Sequence, residues 1–217
     1  MIKCLIFDLD GTLINTLNDL KVTASEILDE FGYSSNLDLD TVRYFVGNGM
    51  KKFVERFLTY ANGDLSLLDT IYDKFVYEYN NKCLRFASLY EGINELIDKL
   101  KNKGYILYVN TNKNHEIANR MINELLPNTF INVYGDSTNF PRKPDPYIVN
   151  KIKEVHNLVN EEIMYIGDSN VDVLTGHNAG VQVIGCSYGF RGEKELKEIG
   201  ADYLINSPLE ILKIINY

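Results

Sequence analysis

Residues Cys4-Leu5-Ile6-Phe7 form an unbroken apolar run that stops at Asp8, Asp10 and Gly11. A short run without polar alternation, ended by a turn signal, suits a strand buried on both faces of a parallel sheet. Such a strand needs helices on either side, and the sequence from Gly92 onward supplies them. A helix is expected over 92–103, with Ile93, Leu96, Ile97 and Leu100 on one face and Gly104 as its stop. An apolar strand follows over 105–109. Helix and strand then alternate over 115–125, 130–134, 145–155, 163–166, 172–178 and 181–184, with a last strand at 203–205 and a last helix at 209–215. That alternation indicates βαβ units and an α/β fold.

Between Asn15 and about residue 85 the pattern is helical only. Leu17, Leu20, Ala24, Ile27, Leu28 and Phe31 recur at three- and four-residue intervals before Gly32. Asp38 or Asp40 is placed to cap a second helix running towards Val46. Gly47-Asn48-Gly49 breaks the chain, after which Phe53, Val54, Phe57, Leu58 and Ala61 mark a third helix. Ile71, Tyr72, Phe75, Val76 and Tyr79 mark a fourth. The expected organisation is a core from 1–14 and 86–217, interrupted by a helical insert over 15–85.

With 217 residues, 45% hydrophobic and 24% charged, the composition is that of an ordinary globular protein. The formal net charge is −8, and no stretch is rich in Lys and Arg with interleaved aromatics, which argues against a nucleic-acid partner. An acidic chain that binds phosphate must concentrate positive charge locally. Cys4, Cys83 and Cys186 are too far apart for a zinc motif or a disulfide framework, and reduced thiols in the cytoplasm are expected. No apolar run approaches the length of a membrane span, and no signal-peptide region precedes Asp8.

Four places carry chemistry. Asp8 and Asp10 sit where a strand would end, the position at which open α/β sheets bind ligands. Two carboxylates in one turn repel unless a cation or a shared proton relieves them, so magnesium with oxygen ligands is the natural companion. A calcium loop fits less well, because its glycine falls further into the acidic series. Asn110-Thr111-Asn112-Lys113 follows the strand at 105–109; Thr111 is placed to hold a phosphate oxygen, or else Thr111 or Asn112 caps the next helix. Lys143 lies in Arg142-Lys143-Pro144-Asp145-Pro146, just before a helix whose first turn is expected to contain Pro146. Ile166-Gly167-Asp168-Ser169-Asn170-Val171-Asp172 repeats the strand-to-carboxylate pattern, with Asp172 alternatively a capping residue at a helix N-terminus.

Taken together, Asp8-Leu9-Asp10-Gly11-Thr12-Leu13, Thr111, Lys143 and the Asp168/Asp172 pair resemble, in order, the four motifs of the haloacid dehalogenase superfamily of phosphohydrolases. The insert after the first motif resembles that superfamily's helical cap. Leu89-Tyr90-Glu91-Gly92, Thr111-Asn112-Lys113, Lys143-Pro144-Asp145-Pro146 and Gly47-Asn48-Gly49 look most like its phosphoglycolate phosphatase branch. Asn15, where the branch has aspartate, and Glu91, where proline is common, are departures that fall on the cap connections.

The resemblance implies a Rossmann-like parallel sheet with helices on both faces and an inserted α-helical cap. It implies a magnesium-dependent phosphatase acting on a small phosphorylated metabolite, 2-phosphoglycolate first, through an aspartyl-phosphate. Asp8 would be the nucleophile and Asp10 the acid and base, with Thr111 and Lys143 holding the phosphate. Asp8, the carbonyl of Asp10 and Asp168 would bind magnesium, supported by Asp172. Gly11, Thr12 and Asn112 would contact substrate. Gly47, Asn48 and Gly49 offer N–H groups for a second anionic group, or else form a plain turn. A monomer or weak dimer without a membrane partner is expected. The alternatives are a phosphosugar mutase of the beta-phosphoglucomutase type, a pyrophosphatase, or more distantly a phospho-accepting receiver domain. Receivers place the phosphorylated aspartate mid-chain without an insert, and a dehalogenase would have no leaving alkoxide for Asp10 to protonate.

Overall fold

The computed structural model describes residues 1–137 and 139–215, and the chain in it divides into two units. One is Met1–Asn15 with the chain from Leu89 onward; the other is Thr16–Ser88.

The first unit is an α/β sheet of six parallel strands in the order β5-β4-β1-β6-β7-β8. These are β1 (Cys4–Phe7), β4 (Ile106–Asn114), β5 (Asn132–Asp136), β6 (Ile163–Gly167), β7 (Gln182–Cys186) and β8 (Tyr203–Ile205). Short strands β2 (Ile14–Asn15) and β3 (Ser88–Leu89) flank the two chain crossings, where Tyr90 donates its N–H to the Leu13 carbonyl at 3.1 Å. From β1 the chain builds outward through β4 and β5, then returns to β6 and builds the other way. Connections running in opposite directions from a central strand lie on opposite faces when their handedness is the same.

Packing agrees with that. Cys4 and Ile6 of β1 share a buried cluster with Ile148, Val149 and Ile152 of α7 (Tyr147–His156), Val173 of α8 (Asn170–Asn178) and Leu196 of α9 (Gly192–Glu198). Leu5 and Phe7 point to the opposite face by strand alternation, and Phe7 meets Phe130 edge-on there. All four β1 residues are fully buried, as the unbroken apolar run requires. The remaining helices are α5 (Ile93–Asn102), α6 (His115–Leu125) and α10 (Ile211–Ile215).

Several local expectations need correction. The strand expected to stop at Val109 continues as β4 to Asn114, so Thr111, Asn112 and Lys113 lie within it. Neither Thr111 nor Asn112 caps α6; the Asn114 Oδ1 accepts from the N–H groups of Glu116 and Ile117 at 3.0 and 3.2 Å. Pro146 is not inside the first turn of α7 but occupies its N-cap position. The α9 helix was not expected at all, because Leu196 is its only buried residue and no apolar stripe announces it.

The second unit contains α1 (Leu17–Glu30), α2 (Leu39–Val42), α3 (Met50–Tyr60) and α4 (Leu68–Lys82). Phe53 and Phe57 of α3 pack on Phe75 of α4 with ring centroids 5.3 and 5.8 Å apart, and Phe75 stacks on Tyr79. Asp38 caps α2 through Thr41 N–H at 2.7 Å, but that helix ends at Val42 instead of reaching Val46. Asp19, buried in the first turns of α1, accepts the Phe86 N–H at 2.9 Å and ties the end of the insert to its beginning.

Candidate active site

The carboxyl ends of β1, β4 and β6 lie side by side at the point where strand order reverses, and each delivers one of the polar groups singled out in the sequence. Asp8 continues the ladder beyond β1, its N–H bonding the Ile166 carbonyl at 2.8 Å. Leu9 then closes a tight turn by accepting from Leu13 and Ile14, both at 3.0 Å. Gly11 in that turn has φ +84°, and a Cβ there would overlap the Asp168 carboxylate. Glycine is therefore required both by backbone conformation and by space.

Asp8, Lys143, Asp168 and Asp172 form one buried cluster. The Lys143 Nζ donates to Asp8 Oδ1 at 2.7 Å and to Asp172 Oδ1 at 2.6 Å. The second oxygen of Asp172 accepts from Ser169, from its N–H at 3.0 Å and its hydroxyl at 2.6 Å, in a capping box at the start of α8. The capping reading of Asp172 therefore holds. It caps a helix, and it anchors the lysine. One oxygen of Asp168 accepts the Phe190 N–H at 2.6 Å.

Asn112, expected to contact substrate, bonds the Lys143 backbone in this structure. Its carboxamide accepts the Lys143 N–H at 2.9 Å and donates to the Lys143 carbonyl at 3.1 Å. Those two bonds fix the backbone from which the lysine reaches the carboxylates, so Asn112 positions Lys143. The Thr111 hydroxyl is buried and accepts the Lys113 N–H at 3.3 Å. Thr12 Oγ1 is fully buried with no protein hydrogen-bond partner.

Lys113, which is not among the site residues expected from the sequence, also lies in the site. Its Nζ lies 2.9 and 3.1 Å from the two carboxylate oxygens of Asp10, and its side chain is 1% exposed. The available signal was its place in the run Thr111-Asn112-Lys113, next to a residue already marked; the strand register shifts between Asn110 and Asn114, so strand period alone would not have found it. Gly47, Asn48 and Gly49 lie in the other unit. There Gly49 is the N-cap of α3, and Asn48 accepts from Arg56 at 2.7 Å while Arg56 also donates to the Phe45 carbonyl at 2.8 Å. Arg56 braces that turn from within.

The electrostatics of the cluster are under strain. Burial, offset in part by Lys143 and reinforced by Asp172, pushes the Asp8 carboxyl up from 3.8 to about 6. Burial and then the charges of Asp172 and Asp8 push Asp168 well above the usual carboxylate range. Burial works against the charge on Lys143, but Asp172 and Asp8 outweigh it and hold its pKa well above the ordinary lysine value. Three carboxylates with ligand atoms within 4.8 Å of one another, sharing one ammonium, can hold a metal ion. Their donors are all hard oxygens, which suits a cation of the magnesium or calcium kind. The like-charge crowding on Asp8 and Asp168 is what a divalent cation would relieve.

Known proteins resemble this chain in sequence and fold. A family of haloacid dehalogenase-like hydrolases aligns with residues 5–186, and the chain belongs to that family. It is a phosphatase of that type, a phosphoric monoester hydrolase. A phosphoglycolate phosphatase from Rhodobacter capsulatus is 34% identical over 194 residues, covering 88% of this chain and 87% of that protein. A phosphoglycolate phosphatase from Vibrio parahaemolyticus is 28% identical over 223 residues, covering 99% and 96%. The crystal structure of a predicted phosphoglycolate phosphatase from Haemophilus somnus superposes with a TM-score of 0.92 at 26% identity, covering 99% of this chain and 98% of that one. Among the described residues, no helix is long and apolar enough to cross a membrane.

Proposed function

We propose that this chain is a magnesium-dependent phosphatase of small phosphorylated metabolites, with 2-phosphoglycolate its first candidate substrate, working through an aspartyl-phosphate on Asp8. The observation that carries the reading is Lys143 bridging Asp8 and Asp172 beside Asp168 at the sheet's reversal point. The curated relatives named phosphoglycolate phosphatase support the substrate.

Hydrolysis of a phosphate monoester is among the slowest of uncatalysed reactions, and an anionic nucleophile attacking an anionic ester adds repulsion to that barrier. An aspartate needs no base to activate it, so the requirement is charge compensation. Asp8 attacks phosphorus as the bond to the ester oxygen breaks, and Asp10 gives its proton to that leaving oxygen. Water then attacks the aspartyl-phosphate, Asp10 takes a proton from it, and Asp8 and inorganic phosphate are released. Lys143 and Thr111 hold the phosphoryl oxygens, and the unpartnered Thr12 hydroxyl suits a substrate contact. Asp8, the Asp10 carbonyl and Asp168 would hold magnesium, with Asp172 orienting the set from outside, because both its oxygens are engaged by Lys143 and Ser169. When bound, the metal supplies positive charge that offsets the build-up on the phosphoryl group.

The test is kcat/KM across 2-phosphoglycolate, hexose phosphates, nucleotides and pyrophosphate. Phosphoglycolate is expected to rank first, with phosphate released without any sugar acceptor. A hexose phosphate or pyrophosphate far ahead of it removes the substrate assignment, and turnover only with a hexose acceptor makes the protein a mutase. The three buried thiols, none of them in a disulfide, suit a reducing cytoplasm, and a monomer or weak dimer is our reading of its assembly.

Chelation is expected to stop turnover and added magnesium to restore it, while calcium, with more ligands at longer distances, should support little. Full rate in chelator removes the metal from the mechanism. Metal binding should also track Asp8. Its raised pKa means that the metal-free fold gains stability from a protonated Asp8; that gain is complete below 3.8 and is lost as pH rises through about 6. Magnesium must displace that proton at low pH. The rise in Tm on adding magnesium is therefore expected to be larger at pH about 7.5 than at pH about 5. Equal increments at both would show that Asp8 is not a ligand.

A further inference from the structure

The four motifs leave out the chain that follows β7, residues 187–190, yet this segment touches more of the site than any of its side-chain chemistry suggests. Phe190 gives its N–H to one oxygen of Asp168 at 2.6 Å. Gly189 lies so close that a Cβ on it would overlap both the Asp168 Cβ and the Gly11 carbonyl oxygen. Tyr188 donates its hydroxyl to the Thr12 carbonyl at 3.0 Å, and its ring packs on Tyr90 with centroids 5.0 Å apart. The segment is itself pinned, by Ser187 N–H to the Ile205 carbonyl at 2.9 Å and by Gly189 N–H to the Cys186 carbonyl at 3.1 Å.

We propose that residues 187–190 form a positioning loop for the cation site, setting the separation between the Asp168 carboxylate and the turn that carries the Asp10 carbonyl. This rests on the reading of Asp168 and the Asp10 carbonyl as magnesium ligands. A carboxylate free to rotate presents either oxygen in many directions, and ordering it on binding opposes affinity. A peptide N–H bonded to one oxygen fixes the plane of the group and leaves the other oxygen for the metal. The Tyr188 hydroxyl acts on the opposite partner, since Thr12 is two residues from Asp10 within one tight turn. The absence of a side chain at position 189 is what lets one loop reach both ligands at once.

Two variants test this: Gly189→Ala, which drives a methyl group between Asp168 and Gly11, and Tyr188→Phe, which removes the hydroxyl that bonds the Thr12 carbonyl and also meets the Cys186 thiol. The measurement is magnesium dissociation by isothermal titration on the purified full chain, with metal-free thermal melts alongside. Gly189→Ala is expected to raise Kd by about 10- to 100-fold, the range seen for loss of partners that orient metal ligands. Tyr188→Phe is expected to raise it several-fold, with a metal-free melt near wild type and a turnover rate that recovers at saturating magnesium. Should Gly189→Ala not fold, Tyr188→Phe decides alone. A folded Tyr188→Phe with wild-type Kd overturns the positioning role, as does a lowered Tm with unchanged Kd in either variant. If the wild-type chain binds no magnesium and turns over in chelator, the metal reading itself fails and takes this inference with it.

Discussion

Asp8→Asn is expected to lose at least about 10⁴-fold in turnover while keeping its fold, an effect of the size seen when a covalent nucleophile is removed. An amide is a poor nucleophile and a weaker ligand for a hard cation. It retains a carbonyl oxygen that can still accept from Lys143, which lies 2.7 Å from Asp8 Oδ1. It also removes a buried charge whose burial raises its pKa to about 6, so the metal-free melt should not fall by much. Phosphate release and a thermal melt on the same preparation check both halves. Wild-type turnover takes Asp8 out of the chemistry, whereas a collapse in Tm would mean that lost activity says nothing about its role.

Lys143→Met should be the most destabilising single change in the site. The lysine is the shared partner of Asp8 and Asp172, its side chain is 4% exposed, and its removal leaves two buried carboxylates facing each other. Breaking a buried pair by deleting one partner typically costs about 3–5 kcal/mol. For a domain of this size that corresponds to a fall in Tm of roughly 6–20 °C. Turnover should also be lost, and magnesium should restore part of the Tm but little of the rate, because a metal replaces the charge and not the phosphoryl contact. A variant within about 1 kcal/mol of wild type in chelator would show that the cluster tolerates its like charges by other means.

What the sequence made legible followed from side-chain pattern. The apolar runs marked β1, β6 and β7 because strands buried on both faces have no polar alternation to blur them. Asp8, Lys143, Asp168 and Asp172 stood out as charged residues next to such runs, and the fold brings all four into one cluster. The polar half of β4 was hidden for the converse reason: Asn110 to Asn114 look like a loop, but Asn110 to Lys113 are buried and the strand pairs with β5. Lys113 was lost with it, since its partner Asp10 is more than a hundred residues away. The bonds from the Asn112 carboxamide to the Lys143 backbone were equally hidden, because a carboxamide's partner cannot be read from the sequence. Residues 187–190 left no trace because their contacts run through a peptide N–H, a missing side chain and a tyrosine hydroxyl bonded to a distant backbone carbonyl.

The two crossings between the units also bear on how such a protein can change over generations. Every charged group of the cluster comes from one unit, and the chain leaves that unit after Asn15 and re-enters it at Leu89, where Tyr90 bonds back to Leu13. An exit and a return so closely tied allow the segment between them to be lengthened, shortened or exchanged without moving β1 against β4 or β6. The reactive cluster and the insert are in that sense separately heritable: residues 16–88 can drift while the cluster is inherited unaltered.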